Sequence, residues 1–221
     1  RIQEIFDFLN RIGGQKVMNM LNVEYMVQYD VPIENSNETN PMAFQPNNTA
    51  LGAAWIVDKA QPVASTDAEM TAMFQENGFD PSTTILYDQR FADLVGEVTP
   101  KAEGANIENT SYLPNKLEYK FNSTKDEVVV FSEIYYEGGW QAFIDNQPVG
   151  HFRADYLLRG LKVPAGEHDI RFEFSRTSYT TGSSVSLIAS LLVVGMVIYF
   201  IYLSFFVEKK EDEVVDQPFQ L

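Results

Sequence analysis

The stretch Val128-Val129-Val130-Phe131-Ser132-Glu133-Ile134-Tyr135-Tyr136 decides how the body of this chain folds. It is a continuous β-branched and aromatic run, a composition that suits a pleated and buried surface. Outward from it the period becomes two. Leu117, Tyr119 and Phe121 alternate with charged residues upstream, Trp140, Ala142 and Ile144 alternate downstream, and Ile170, Phe172 and Phe174 close the series. Asp145-Asn146-Gln147 and Pro164-Ala165-Gly166 supply turns between them. The spacing predicts an antiparallel β-sandwich, jelly-roll-like in outline, over residues 96–178.

Before Pro100 the pattern differs, and residues 1–95 read as a small α/β part, which makes the fold class α+β. Ile2, Ile5, Phe6, Leu9 and Ile12, then Val17, Met18 and Leu21, recur mostly at steps of three and four, so two short helices broken by Gly13 and Gly14 are expected. Val23 to Tyr29 alternates as a strand, Asp30 to Asn48 is crowded with Asn, Pro and Ser as a loop, and Ala53 to Val57 is a short apolar strand. Thr66 with Glu69 reads as a capping box opening a helix that Gly78 ends, and Thr83 to Tyr87 gives another strand. The two parts make one ectodomain or two.

Past the sandwich, Val185 to Val207 holds no charged residue over 23 positions. As a helix it reaches about 34 Å, enough for a hydrocarbon core of ~30 Å. A transmembrane helix is expected over 183–207, with Tyr199 and Tyr202 near one interface and Glu208, Lys209 and Lys210 ending it. Residues 208–221 carry five acids against two lysines and read as a disordered acidic tail. Lys209 and Lys210 favour a cytoplasmic tail and an external domain, because folded domains translocate largely regardless of their charge. The chain starts at Arg1 without a signal-like segment and is expected to be the C-terminal piece of something longer.

Composition narrows the partners. Sixteen basic residues against 31 acidic give a net charge of −15, which repels the phosphates of nucleic acids and anionic lipid surfaces. With no cysteine there is no disulfide, thiolate metal site or cysteine nucleophile, and an extracytoplasmic domain held by its core alone points to a bacterial source.

Phe131-Ser132-Glu133-Ile134-Tyr135-Tyr136 leading to Gly139-Trp140-Gln141-Ala142-Phe143-Ile144-Asp145, then Phe152 to Gly160, then Val163-Pro164-Ala165-Gly166-Glu167-His168, resembles the C-terminal domain of the YfhO-type bacterial membrane proteins. Asn19 to Tyr25 and Ala50 to Val57 resemble the start of the same domain. Gly138 stands where that family usually has proline, and Asn146 where it usually has glycine. The resemblance implies a polytopic protein of the bacterial cytoplasmic membrane, similar to glycosyltransferases that use polyprenyl-phosphate-linked sugars, ending in an external domain and a last span. It implies that the catalytic carboxylate lies in an early external loop outside these residues.

Glu133, Asp145, Asp155, Arg153 and Arg159 are the polar residues most tightly embedded in the β region, and Trp140 stands beside them in the pattern. The arginine forks suit a phosphate or sugar carboxylate, but more readily an internal ion-pair network; Trp140, Tyr135 and Tyr136 suit a sugar ring, but aromatics in such strands are more often core. His151 and His168 have no spacing that shares a metal, and no nucleophile elbow or phosphate loop occurs. No cofactor, metal or catalytic residue is expected. The expected function is a non-catalytic accessory domain that binds glycan or covers an active-site mouth in envelope glycosylation. The other reading is a structural or protein-interaction module of the envelope.

Overall fold

The computed structural model describes residues 14–29, 31–32, 39–40, 42–74, 79–174 and 177–206. The helix expected before Gly13, the helix end at Gly78 and the tail 208–221 lie outside them. The chain divides into two compact units, Arg1–Ser175 and Arg176–Leu221.

The first unit opens with α1 (Gln15–Met20), β1 (Tyr25–Gln28), β2 (Val31–Pro32), β3 (Thr39–Asn40), β4 (Ala43–Pro46), β5 (Ala54–Val57) and β6 (Lys59–Val63). Next come α2 (Thr66–Met73), β7 (Thr84–Asp88), a 3₁₀ turn at Gln89–Phe91 and α3 (Ala92–Val95). The rest is β-structure: β8 (Asn106–Leu113), β9 (Lys116–Ser123), β10 (Glu127–Ile134), β11 (Trp140–Ile144), β12 (Gln147–Val149), β13 (Phe152–Ala154), β14 (Leu158–Val163) and β15 (Gly166–Phe174).

Two sheets make the body. One runs β13-β14-β10-β5 and the other β12-β11-β15-β9-β8, with antiparallel pairing throughout both. Their facing side chains share one core, in which Ile56, Val129, Phe131 and Leu161 meet Leu117, Tyr119, Ile170 and Phe172. Phe131 stands edge-on to Tyr119 and Phe172, each at 4.8 Å between ring centres. The architecture is therefore mixed α+β with a sandwich-like body.

The four-stranded sheet is covered on its other face as well. Trp55, Val57, Val128, Val130, Phe152 and Leu158 pack there against Met20, Met73, Ile85, Leu86 and Phe91 of the α/β part. That second cover explains why Val128 to Phe131 reads as an unbroken apolar run: a strand buried on both faces has no polar side to alternate with. Each such side chain contributes about 1.5–3 kcal/mol on burial. Strand β5, from the first half of the sequence, lies hydrogen-bonded beside β10 from the second, so the two parts share a sheet. Any side chain at Gly160 would run into the ring of Phe152.

Within the α/β part, β6 and β7 pair in parallel and α2 connects them. Two local expectations need correction. The stretch from Asp30 to Asn48 is not all loop, because β4 pairs antiparallel with β1 from Tyr25↔Pro46 to Gln28↔Ala43. Both strands are largely exposed, so neither burial nor alternation marked β4 in the sequence. The cap of α2 is Ser65, whose hydroxyl accepts from the Ala68 N–H (3.2 Å), rather than Thr66. Glu69 does not turn back to the cap; it is fully buried and paired elsewhere.

The second unit is the helix α4 (Thr177–Phe206), of 30 residues. Its stretch Gly182–Phe205 has a mean hydropathy of 2.5 and none of it is buried, so it is long and apolar enough to cross a membrane.

Candidate functional site

Of the residues singled out in the sequence, Glu133, Arg159 and Trp140 come together. Arg159, on β14, is 1% exposed, and its Nε donates to the carbonyl of Ile134 (3.1 Å) while Nη2 donates to Glu133 Oε2 (3.3 Å). Its guanidinium lies over the Trp140 ring at 4.1 Å and near Phe172 at 5.1 Å, so cation–π attraction holds the face that carries no hydrogen bonds. Burial pulls Arg159 down to about 10, which still leaves it charged at neutral pH. Glu133 keeps 17% of its side chain open to solvent and accepts from the Tyr112 hydroxyl at 2.5 Å. That hydrogen bond, with burial behind it, raises the Tyr112 phenol above its ordinary value.

Trp140 is partly buried against the sandwich core and edge-on to Phe174 at 5.3 Å. Phe174 in turn stacks with Tyr136. The chain approaches this cluster through Gly139, where a Cβ would strike the Phe174 and Tyr136 rings. The glycine is required by that close approach, whereas the neighbouring Gly138 would meet Tyr136 only at an ordinary 3.7 Å.

Arg153 and Asp155 belong to a different place. Arg153 Nη2 donates to Glu69 Oε2 (2.6 Å) and to the Thr66 hydroxyl (2.8 Å), with Asp88 at 3.7 Å. Burial outweighs the attraction of Arg153 and raises the Glu69 carboxyl above its ordinary value. Asp155 pairs with neither arginine. Its Oδ1 accepts from the Leu86 N–H and its own N–H donates to the Leu86 carbonyl, both at 2.8 Å, so it fastens the β13–β14 connection to β7. Complete burial drives its pKa well above the carboxylate range.

A groove of about 420 Å³ lies at one end of the five-stranded sheet. Asn106, Glu108, Lys120, Asn122, Glu167 and Asp169 line it, together with Asp145 and His168. Lys120 holds Asp169 at 2.8 Å, and that contact raises the lysine above its ordinary value. His168 Nδ1 meets Asp145 Oδ2 at 2.6 Å while Asp145 Oδ1 accepts from the Asp169 N–H, so the imidazole ties the turn after β11 to the first half of β15. The contact raises His168 and lowers Asp145. Asp145 and Asn146 both have positive φ, 49° and 68°, in the two-residue turn between β11 and β12. Asparagine tolerates that conformation, which accounts for Asn146 standing where glycine is usual.

His151 is elsewhere, between Tyr135 and Phe172, and burial pushes it down to about 4. Among the described residues no three His, Asp or Glu side chains stand close enough to hold a metal ion. The groove was not legible in the sequence, because Asn106 and Glu108 sit on β8, a strand whose polar residues gave no period-two signal. The Thr66–Glu69 spacing suits a helix cap, and nothing in the sequence marks Glu69 as the partner of Arg153.

No curated protein and no solved structure matches the chain. The family profile described as "Bacterial membrane protein YfhO" matches residues 62–186, from β6 to the first third of α4; the segments Asn19 to Tyr25 and Ala50 to Val57 precede that range. The match takes in more than half of the chain, together with both arginine clusters and the groove, and the chain belongs to the YfhO family of bacterial membrane proteins.

Proposed function

We propose that this chain is an external, non-catalytic accessory domain of a polytopic, glycosyltransferase-like protein of the cytoplasmic membrane, and that it holds envelope glycan. The observation that carries the non-catalytic reading is that the groups best suited to chemistry are already committed to one another. Glu133 is held by Tyr112 and Arg159, Glu69 by Arg153, and Asp145 by His168. A general acid or nucleophile needs a free, reachable atom with a tuned pKa, and these carboxylates are each taken up by a hydrogen-bonded or ion-paired neighbour. The glycan reading rests on the groove, whose amides, carboxylates and lysine are planar or multiply hydrogen-bonding groups facing open solvent. The family resemblance implies the sugar chemistry, and Lys209 and Lys210 favour a cytoplasmic side for residues 208–221.

The test joins binding and turnover. The purified chain is expected to leave polyprenyl-linked sugars unchanged, and to bind envelope glycan with an affinity that Lys120→Ala and Asn122→Ala lower. Turnover abolished by Glu133→Gln would overturn the reading and make the chain an enzyme.

One observation favours the second reading, a protein-interaction module. The β1–β4 pair presents Tyr25 (63% exposed) and Phe44 (65%) to solvent, with Tyr29 (73%) just past the end of β1. Apolar side chains grouped in this way suit a protein surface. Retention of a defined envelope protein by the wild-type chain, lost with Tyr25→Ser and Phe44→Ser while glycan binding is unchanged, would favour it.

A further inference from the structure

The charges in the groove of the five-stranded sheet do not balance. Its lining holds the carboxylates of Glu108, Asp145, Glu167 and Asp169 against one lysine, Lys120, and one histidine, His168. Both basic groups are already engaged within it. Lys120 Nζ stands 2.8 Å from Asp169 Oδ1, His168 Nδ1 stands 2.6 Å from Asp145 Oδ2, and the other imidazole nitrogen faces the Ala165 carbonyl at 3.3 Å. Asp145 is saturated in turn, because its second oxygen accepts from the Asp169 N–H. Glu108 and Glu167 remain. Both are exposed, and neither forms an ion pair among the described residues.

The strand registers fix where these two stand. In one cross-strand row Asn106 faces Asn122 and Asn122 faces Glu167; two residues along, Glu108 faces Lys120 and Lys120 faces Asp169. Glu108 and Glu167 therefore occupy opposite corners, two strand spacings across and two residues along, with Cα atoms about 12 Å apart. Lys120 and Asn122 lie between them. Among the described residues no three His, Asp or Glu side chains converge as a metal ion needs. Positive charges spread along a chain fit the two corners, and a single point charge does not.

We propose that the groove takes glycan whose sugars carry free amino groups. Glu108 and Glu167 each accept from an ammonium, while Asn106, Asn122 and the two Lys120 N–H groups not given to Asp169 bond the hydroxyls between them. This rests on the glycan reading and gives the ligand a sign. It is the opposite of the phosphate or sugar carboxylate that Arg153 and Arg159 suit in the sequence, because those guanidinium groups are held by Glu69 and Glu133 and do not line the groove. An anionic sugar would meet like charge at both corners. Acetylation of the same amine removes its charge and keeps the ring, so it separates the contribution of charge from that of the sugar.

The test is isothermal titration of the full chain in a neutral polyoxyethylene detergent at about pH 6, which keeps the sugar amines protonated. The probes are the trimer of glucosamine, the trimer of N-acetylglucosamine, trigalacturonate and trilysine. An exposed ion pair is worth about two- to fivefold in affinity, so the glucosamine trimer is expected to bind about three- to tenfold more tightly than the acetylated one. Trigalacturonate is expected to bind most weakly, and the preference to fall as salt is raised. The double variant Glu108→Gln/Glu167→Gln should bring the ratio of the two trimers close to one. Both glutamates are exposed, and an unchanged melting temperature of that variant verifies the fold.

Equal affinity for the two trimers would overturn the inference and leave the glycan reading standing, whereas binding of none of the sugars would remove both. A preference that survives the double substitution would trace it to the −15 charge of the whole chain, and trilysine binding as tightly as the glucosamine trimer would trace it to charge without sugar. Either result would also overturn the inference.

Discussion

Arg153 and Arg159 are direct cross-strand neighbours in the β13–β14 register, yet their guanidinium groups are stabilised in different ways. Arg153 is held by a carboxylate that is itself fully buried, with a threonine hydroxyl beside it. Arg159 is held by aromatic faces and by a carboxylate that still reaches solvent. Like charges directly opposite on a ladder repel, so each arginine needs its own counterpart. The difference teaches that removal of an arginine is costly in proportion to what it leaves behind. Loss of Arg153 strands the Glu69 charge in the core, whereas loss of Arg159 leaves Glu133 with Tyr112 and water.

Arg153→Met should therefore have the largest effect, about 3–5 kcal/mol of lost stability, the magnitude for breaking a buried pair on one side. Urea unfolding of the detergent-solubilised chain measures it, and the double variant Arg153→Met/Glu69→Leu should recover most of the loss. A double variant as poor as the single one would break the comparison. Trp140→Ala should cost about 2–3 kcal/mol, below the ~3–5 of a fully enclosed ring, because the indole is only partly buried. Arg159→Met should cost less still, about 1–2 kcal/mol, since the cation–π contact and a half-open ion pair are what it removes.

Two smaller effects depend on pH. Asp155 has a raised pKa in the folded state, so its contribution is complete below the ordinary carboxylate value of 3.8 and is lost as pH rises through the folded one. Asp155→Asn keeps the acceptor for Leu86 without the charge; it should raise the melting temperature at pH 8 and lose that advantage toward pH 4. His168 is also raised, and its tie to Asp145 is complete below 6.5 and lost as pH rises through the folded value. Because Asp145 is lowered, its side of the tie is lost only as pH falls through its own folded pKa, below 3.8. The melting difference between wild type and His168→Gln should then be greatest near pH 5 and shrink by pH 8. A difference that is flat between those values would mean that the imidazole serves only by packing on Phe121.

The sandwich was legible because its strands have one buried face or two, and each case leaves a pattern: alternation at Leu117, Tyr119 and Phe121, and an unbroken run at Val128 to Phe131. The span was legible for the same reason, through the uniform apolarity of α4. Strands β4 and β8 escaped because backbone pairing without burial leaves no mark on side-chain choice. For the candidate residues, the types were legible and the partnerships were not. Sequence order could match Arg159 with Glu133, 26 residues away, as readily as with Asp155, and nothing in it pointed from Arg153 back to Glu69 across 84 residues. Long-range pairing of that kind is decided by which strand lies beside which.

The outer strands of the five-stranded sheet carry one more consequence. Strand β8 has a register shift between Asn109 and Ser111, and the Asn109 amide donates to the Ser111 and Glu118 carbonyls. At the opposite margin, β12 is three residues long and holds Pro148, which has no N–H to offer. A bulge on one side and a proline on the other remove the straight row of donors and acceptors that would let neighbouring copies zip together edge to edge. A span confines a protein to two dimensions, where identical domains meet often, and on this sheet neither margin offers them a straight strand to extend.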